Sequence, residues 1–519
     1  MKIPAIIINY NNFLTKKQVI YMEKKEGSYK KRLKILFVSS ESAPFAKAGG
    51  LGDVLFSLPL ALRKLGQDAK IMIPRYATID PKVYKLETEL NNLKVPTDQS
   101  KGPYPSLICN VKKYLGGDTA PVYFLENMEY YEKRANVYGY SDDHIRWMLL
   151  CRGVLEFLKR SSWVPEIIVC CDWQAGLISN YLKTTYKKDP VLSKIATVFS
   201  IHNLYFQGMC DFRFIKESEK DSGHEPLPDF FNPRLVKLNW MLRGITYSDI
   251  ITTVSPTYAQ EILTPEYGEG LDKILNEKRD KIYGILNGIN YDYYNPQTTP
   301  HIPIHYSSLT IARKRKNKTY LQKKFGLNQG QNTFLIGMVT RFTEQKGFDL
   351  LEQIIDPLLK NTTLQLFFNG DGESRYKECI KKMAEKYPQR VGYSMEFDTN
   401  LPHLVFAGSD ASLIPSKFEP CGITQMQAMR YGSIPIVRKT GGLADTVKSF
   451  SPEKNEGQGF VFKDYDSFAL FAAVIQANAS FRFKKRWRDL IKRAMEKNFS
   501  WEKSAEEHIK VFNNLISKK

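Results

Sequence analysis

Lys47 stands directly before three glycines, Gly49, Gly50 and Gly52, in the stretch AKAGGLGDVLFSLPLALRKLG. A cation ahead of a glycine turn that opens a helix suits an anion, because backbone N–H groups and the helix dipole favour negative charge there. Neither familiar phosphate loop fits. A P-loop places its Lys after the last Gly and before Ser or Thr, whereas Lys47 comes first. A dinucleotide turn needs a small residue where Leu55 stands. A tight turn with a surface lysine is the plain alternative, and one loop does not decide between them.

Four further stretches carry groups able to do chemistry. SIHNLYFQG holds His202 and Asn203, and TRFTEQKG holds Arg341 and Lys346. Two cations on one strand-to-helix turn can hold a diphosphate, Arg as a fork and Lys as a point charge. In SLIPSKFEPCGITQMQAMRYG, Glu419 is fixed by Pro420 and faces a loop that opens into a helix near Thr424. A diphosphate would repel that carboxylate, so it suits sugar hydroxyls. VRKTGGLADTV adds a second Gly-Gly turn, Gly441 and Gly442, at a helix start.

These groups need strand ends and helix starts to hold them. Strand-like apolar runs alternate with helical ones throughout, the pattern of parallel α/β sheets. The runs are KILFVSS, DAKIMIP, APVYFL, EIIVCC, ATVFSIHN and DIITTVS, then TFLIGMVT, LQLFFNG, ASLIPS and IPIVRKT. After Gly52, Val54, Leu55, Leu58, Leu62 and Leu65 fall at helical spacing around Pro59, and Gly66 suits the stop. Helices are predicted over Ile145–Leu158 and Leu350–Leu359. A last helix follows Ser500, with Trp501, Ala505, Ile509, Phe512 and Ile516 on one face. The boundaries read as a basic extension at 1–32, domains at 33–290 and 291–495, and a closing helical segment at 496–519. That segment is expected to pack back across both domains. Ligands of such sheets bind at the carboxyl ends of the strands, where all the clusters above lie.

Composition narrows the classes. A chain of 519 residues with 43% apolar residues suits two α/β domains. No apolar run approaches the roughly 20 residues of a membrane span. AIIIN near the N-terminus is too short for a signal-peptide core, and Met22 is an alternative start to Met1. The net charge of +20 comes from lysines scattered among 55 acidic residues. That pattern argues for a solvated surface rather than a nucleic-acid stripe. Seven cysteines without CxxC spacing fit a reducing cytoplasm. No clustered His and Asp pattern points to a metal.

Taken together, KAGGLGDV, IHNLYFQG, VSPTYAQEILTPEYGEGL, GILNGINYDYYNP, RFTEQKG, KFEPCGITQMQAMRYG and RKTGGLADTV resemble the bacterial glycogen synthase and plant starch synthase family. The resemblance runs from about Leu33 to Phe512. It implies a GT-B fold, two Rossmann-like α/β domains facing a deep cleft. It also implies transfer of glucose from a nucleotide sugar to the non-reducing 4-hydroxyl of an α-1,4-glucan (glycogen or starch), with retention of configuration. ADP-glucose is the expected donor, and nothing local excludes UDP-glucose. Lys47 would contact the donor diphosphate, with Gly49, Gly50 and Gly52 letting the backbone approach. Arg341 and Lys346 would stabilise the leaving diphosphate, His202 would sit at the glucose and Glu419 would bind its hydroxyls. Gly441 and Gly442 would offer N–H groups to phosphate, and Asp142 in YSDDHIRW matches a family carboxylate near the reacting sugar. Asn203, Asn287, Cys421, Gly422 and Thr424 complete the implied donor contacts. No metal or other cofactor, nucleic acid or membrane is implied. Val169 and Cys171 in VCCDWQAG replace two family histidines, and Gln427 stands where many relatives place a second Glu. The rival readings are a related transferase with another acceptor and a catalytically idle glucan-binding homologue.

Overall fold

The computed structural model describes residues 31–99, 102–117, 119–396 and 398–519. The expected extension, apart from Lys31 and Arg32, and the choice between Met1 and Met22 lie outside them. The chain divides into two compact units. The first runs to Thr253 and adds Ala259–Ile285 and Trp501–Lys519; the second holds Val254–Tyr258 and Leu286–Ser500. The divisions therefore fall at 285/286 and 500/501 rather than at 290/291 and 495/496. The last helix, Trp501–Ser517, belongs to the first unit. Its buried Trp501, Ala505, Ile509 and Phe512 form the face that the sequence spacing implies.

The first unit is built on strands β1 (Lys34–Val38), β2 (Asp68–Pro74), β3 (Glu87–Pro96), β4 (Ser106–Tyr114), β5 (Val122–Glu126), β6 (Ile167–Cys171), β7 (Ala196–Ile201), β8 (Ile250–Thr253) and β9 (Ile282–Gly284). Their order in one sheet is β3-β4-β5-β2-β1-β6-β7-β8-β9. β1 lies between β2 and β6, parallel to both, with Lys34 opposite Asp68 and Ile35 opposite Ile167. The central strands are apolar on both faces because helices cover both, as parallel sheets require. β3 and β4 run antiparallel at one edge. No apolar run foretold them: β3 reads ETELNNLKVP, with Leu93 and Val95 buried and its charged residues facing water.

The helix after β1 spans Gly50–Lys64. It begins two residues before the expected point, so Gly50 and Gly52 lie in its first turn and Gly49 precedes it. Val54, Leu55, Leu58 and Leu62 are buried, and Pro59 sits inside at the loss of one backbone bond. Gly66, at φ +86°, turns the chain out of the helix and into β2.

The second unit holds an all-parallel sheet of β10 (Leu335–Val339), β11 (Gln365–Asn369), β12 (Val391–Ser394), β13 (Ala411–Ile414), β14 (Ile434–Arg438) and β15 (Phe460–Phe462). The order is β12-β11-β10-β13-β14-β15. The helix Phe348–Asn361 leaves β10 and buries Leu351, Ile354, Ile355 and Leu358 against the sheet. All ten predicted runs are strands; the five unpredicted ones are short, polar or peripheral. Among the described residues no helix is long and apolar enough to cross a membrane.

Candidate functional site

In the first unit the polar groups gather at the carboxyl ends of the neighbouring strands β1, β6 and β7. Lys47 pairs with Asp53 at 2.8 Å, and both side chains are about half exposed (50% and 45%). The amides that follow Lys47 are already occupied. Those of Ala48 and Gly49 donate to Oε2 of the buried Glu41 at 2.6 and 2.9 Å. The three glycines differ accordingly. A Cβ on Gly52 would lie 3.1 Å from Glu41 Oε2 and 3.2 Å from Lys47 Cγ, whereas one on Gly50 would meet nothing within 4 Å. The anion seated on the loop amides is thus a carboxylate of the same chain, and Gly52 alone is closely confined by it.

After β6, Asp172 adopts φ +55° and accepts from the backbone amide of His202 at 2.7 Å, with the Asn203 amide at 3.4 Å. Burial pushes its carboxyl up to about 7, against the pull of those two amides. His202 Nε2 lies 3.1 Å from Ser200 Oγ. Burial, helped by the neighbouring His508, lowers the imidazole to about 4, so His202 is neutral near pH 7. Asn203 Oδ1 accepts from the Tyr205 amide at 3.1 Å, which shapes the turn. Val169 and Cys171, which replace the family histidines, are buried in β6 and leave the strand end to Asp172.

A carboxyl raised by folding stabilises the protonated form. The stability it confers is full below about pH 4 and is lost as pH rises to about 7. Asp172→Asn removes that titration. Its melting temperature relative to wild type is therefore expected to be higher at pH 8 than at pH 5. Equal differences at the two pH values would show that Asp172 is not raised.

Asp142 precedes the helix Asp143–Leu158. Oδ2 pairs with Arg134 at 2.8 Å, while Oδ1 is buried without a hydrogen-bond partner among the described residues. The fully buried Arg146 holds the preceding segment by donating to the carbonyls of Tyr130 and Val137 and to the Asp143 carboxylate.

In the second unit the loops after β10, β13 and β14 lock together. Lys346 Nζ meets Glu419 Oε2 at 2.6 Å, and Ser416 Oγ donates to the same oxygen at 2.8 Å. The turn is tight where it crosses the β13 loop: Gly347 has φ +79°, and a Cβ there would lie 2.3 Å from the Pro415 carbonyl oxygen. The Lys417 amide donates to the Gln345 carbonyl at 2.9 Å. Arg341 is exposed, and its guanidinium has no carboxylate partner among the described residues.

In the second Gly-Gly turn the structure departs from the expectation at Gly442. The Gly442 amide donates to the carbonyls of Glu419 and Pro420 at 3.1 and 3.2 Å, so it is not offered to phosphate. A Cβ on Gly441 would lie 2.0 Å from the Glu419 carbonyl oxygen, and one on Gly442 1.8 Å from that of Cys421. These glycines let the Glu419 loop close onto the helix Gly441–Thr446; their work is to seat Glu419. Gly422, at φ +63°, continues that loop into the helix Thr424–Arg430, whose first residue is the half-buried Thr424. Burial pushes the Cys421 thiol up to about 12, with the Asn287 backbone beside it, so it stays a neutral packing group. Among the described residues no cluster of His, Cys, Asp and Glu could hold a metal ion. Glu41, Tyr138, Arg146 and Ser416 escaped sequence reasoning, because a single Glu, Tyr, Arg or Ser carries no local pattern.

Residues 34–277 match the family described as starch synthase catalytic domain, and residues 319–496 match glycosyl transferases group 1. A glycogen synthase of Desulforamulus reducens is 39% identical over 93% of this chain and 99% of its own. That of Geobacillus stearothermophilus is 40% identical over 94% and 98%. Among solved structures, the catalytic domain of starch synthase IV from Arabidopsis thaliana, bound to ADP and acarbose, superposes with a TM-score of 0.79. It is 29% identical and covers 94% of this chain and 100% of its own. Near-complete coverage at that identity, on two α/β units of the GT-B kind with their polar loops at strand ends, places this chain in the family of glycogen and starch synthases, the glucosyltransferases that extend α-1,4-glucans.

Proposed function

We propose that this chain transfers glucose from ADP-glucose to the non-reducing 4-hydroxyl of an α-1,4-glucan, with retention of configuration and without a metal. The observation that carries the reading is the Lys346–Glu419 pair at the ends of neighbouring parallel strands. It sets a cation for the departing diphosphate beside a carboxylate for sugar hydroxyls. Breaking the bond to a diphosphate calls mainly for stabilisation of the leaving charge, which preorganised cations supply. Lys346 and Arg341 do this after β10, and Lys47 is a further cation for the donor diphosphate. The neutral His202 serves as a hydrogen-bonding group at the glucose, and Asp142 Oδ1 is an acceptor awaiting a donor. Seven unpaired cysteines suit a reducing cytoplasm.

The test is transfer of labelled glucose to glycogen from ADP-glucose and from UDP-glucose, with and without a chelator. Faster transfer from ADP-glucose, unchanged by chelator, is expected. Binding of glucan without transfer from either donor would identify an idle homologue, and inhibition reversed by magnesium would overturn the metal-free reading. Glu419→Gln keeps the shape but weakens charge-assisted bonds worth roughly 1.5–3 kcal/mol each. Transfer is expected to fall well over tenfold in a folded protein; wild-type turnover would remove Glu419 from the site.

A further inference from the structure

Glu41 has no part in the reaction as outlined, yet it is the most closely engaged carboxylate beside the glycine loop. It is 2% exposed, and no cation pairs with it among the described residues. A buried carboxylate of that kind is costly unless hydrogen bonds compensate. Here Oε2 takes the Ala48 and Gly49 amides at 2.6 and 2.9 Å, at the start of the helix Gly50–Lys64, where the dipole favours negative charge. Oε1 accepts from Tyr138 at 3.0 Å, and that hydroxyl also lies 2.8 Å from Ser40 Oγ. Burial and the Glu41 charge hold the Tyr138 phenol far above its ordinary value, so it keeps its proton to donate.

We infer that Glu41 is a positioning residue: its carboxylate is the resident anion of the glycine loop and sets the place of Lys47. The two amides it holds belong to the residues immediately after Lys47. A side chain at Gly52 would press on Glu41 and Lys47 together. Through Tyr138, Glu41 also ties this loop to the segment that leads into Asp142, which Arg146 secures from below. With the Ala48 and Gly49 amides already engaged, those two are not available to a donor phosphate, which the loop meets through the Lys47 ammonium. The inference rests on the reading that Lys47 acts on the donor.

A double-mutant cycle in kcat tests it, using Glu41→Gln, Lys47→Ala and the pair, with ADP-glucose and glycogen. Glu41→Gln is expected to lower kcat about tenfold, since the one charged acceptor of the two loop amides becomes neutral. In the Lys47→Ala background it is expected to lower kcat no further, because the group it positions is gone. A general loss of folded protein would instead multiply in both backgrounds. Tyr138→Phe keeps the carboxylate and removes only its donor. It is expected to cost a few-fold, again only while Lys47 is present, and it keeps the test available if Glu41→Gln folds poorly. Losses that multiply with that of Lys47→Ala, or a Glu41→Gln enzyme within twofold of wild type, would overturn the inference. Full activity of Lys47→Ala alone would overturn the reading of Lys47 beneath it, a distinct result.

Discussion

Lys346→Ala is expected to lower kcat about 100- to 1,000-fold, the loss seen when one preorganised contact to a developing charge is removed. The benefit of that ammonium grows as charge gathers on the departing diphosphate, so the deficit belongs in kcat more than in KM. Lys346 also has a resident partner, Glu419, at 2.6 Å, with side-chain exposures of 16% and 12%. Removing the cation leaves that carboxylate, among the described residues, to Ser416, so melting temperature should fall as well. The cost in stability stays below the roughly 3–5 kcal/mol of a fully buried pair, because water still reaches this one. Lys346→Ala combined with Glu419→Gln separates the two effects. Melting should recover, because no charge is stranded, while kcat stays low. A Lys346→Ala enzyme within tenfold of wild type would take Lys346 away from the leaving group.

Lys47→Ala should show a loss of similar size, about 100- to 1,000-fold in kcat, with a different stability signature. The ion pair with Asp53 is half exposed on both sides, and exposed pairs contribute only about 0–1 kcal/mol. Lys47 can therefore leave Asp53 for a donor phosphate at small cost, and its removal should leave melting unchanged. Asp53→Asn serves as the control, expected within about threefold of wild type, since it takes away only the resting partner. If Lys47→Ala turns over normally, the glycine loop is a structural turn held by Glu41 and nothing more.

The sequence by itself determined ten of the strands, the central ones of both sheets, and the polar motifs that follow them. Apolar runs such as KILFVSS and TFLIGMVT become buried parallel strands because consecutive residues at their centres must be apolar when helices cover both faces. That requirement is local, so it is written locally. The motifs that follow the runs carry the family resemblance, and through it Lys47, His202, Arg341, Lys346 and Glu419. Strand β3, at the edge, and its neighbour β4 left no such mark, because they bury few side chains and their polar residues resemble a loop.

Only the tertiary structure decided which partner each polar group takes. Lys346 and Glu419 are 73 residues apart, and nothing near either one names the other. Gly441 and Gly442 look like an anion turn in sequence. In space the Glu419 loop comes so close that only glycine fits and the Gly442 amide is consumed. Glu41 lies seven and eight residues before the amides it holds, yet it reads as one more carboxylate until burial removes water as its alternative. Periodicity is a property of the chain's neighbours along the sequence. Hydrogen-bond partners are chosen by what remains within about 3 Å once the chain has closed on itself, and that choice is made across the fold.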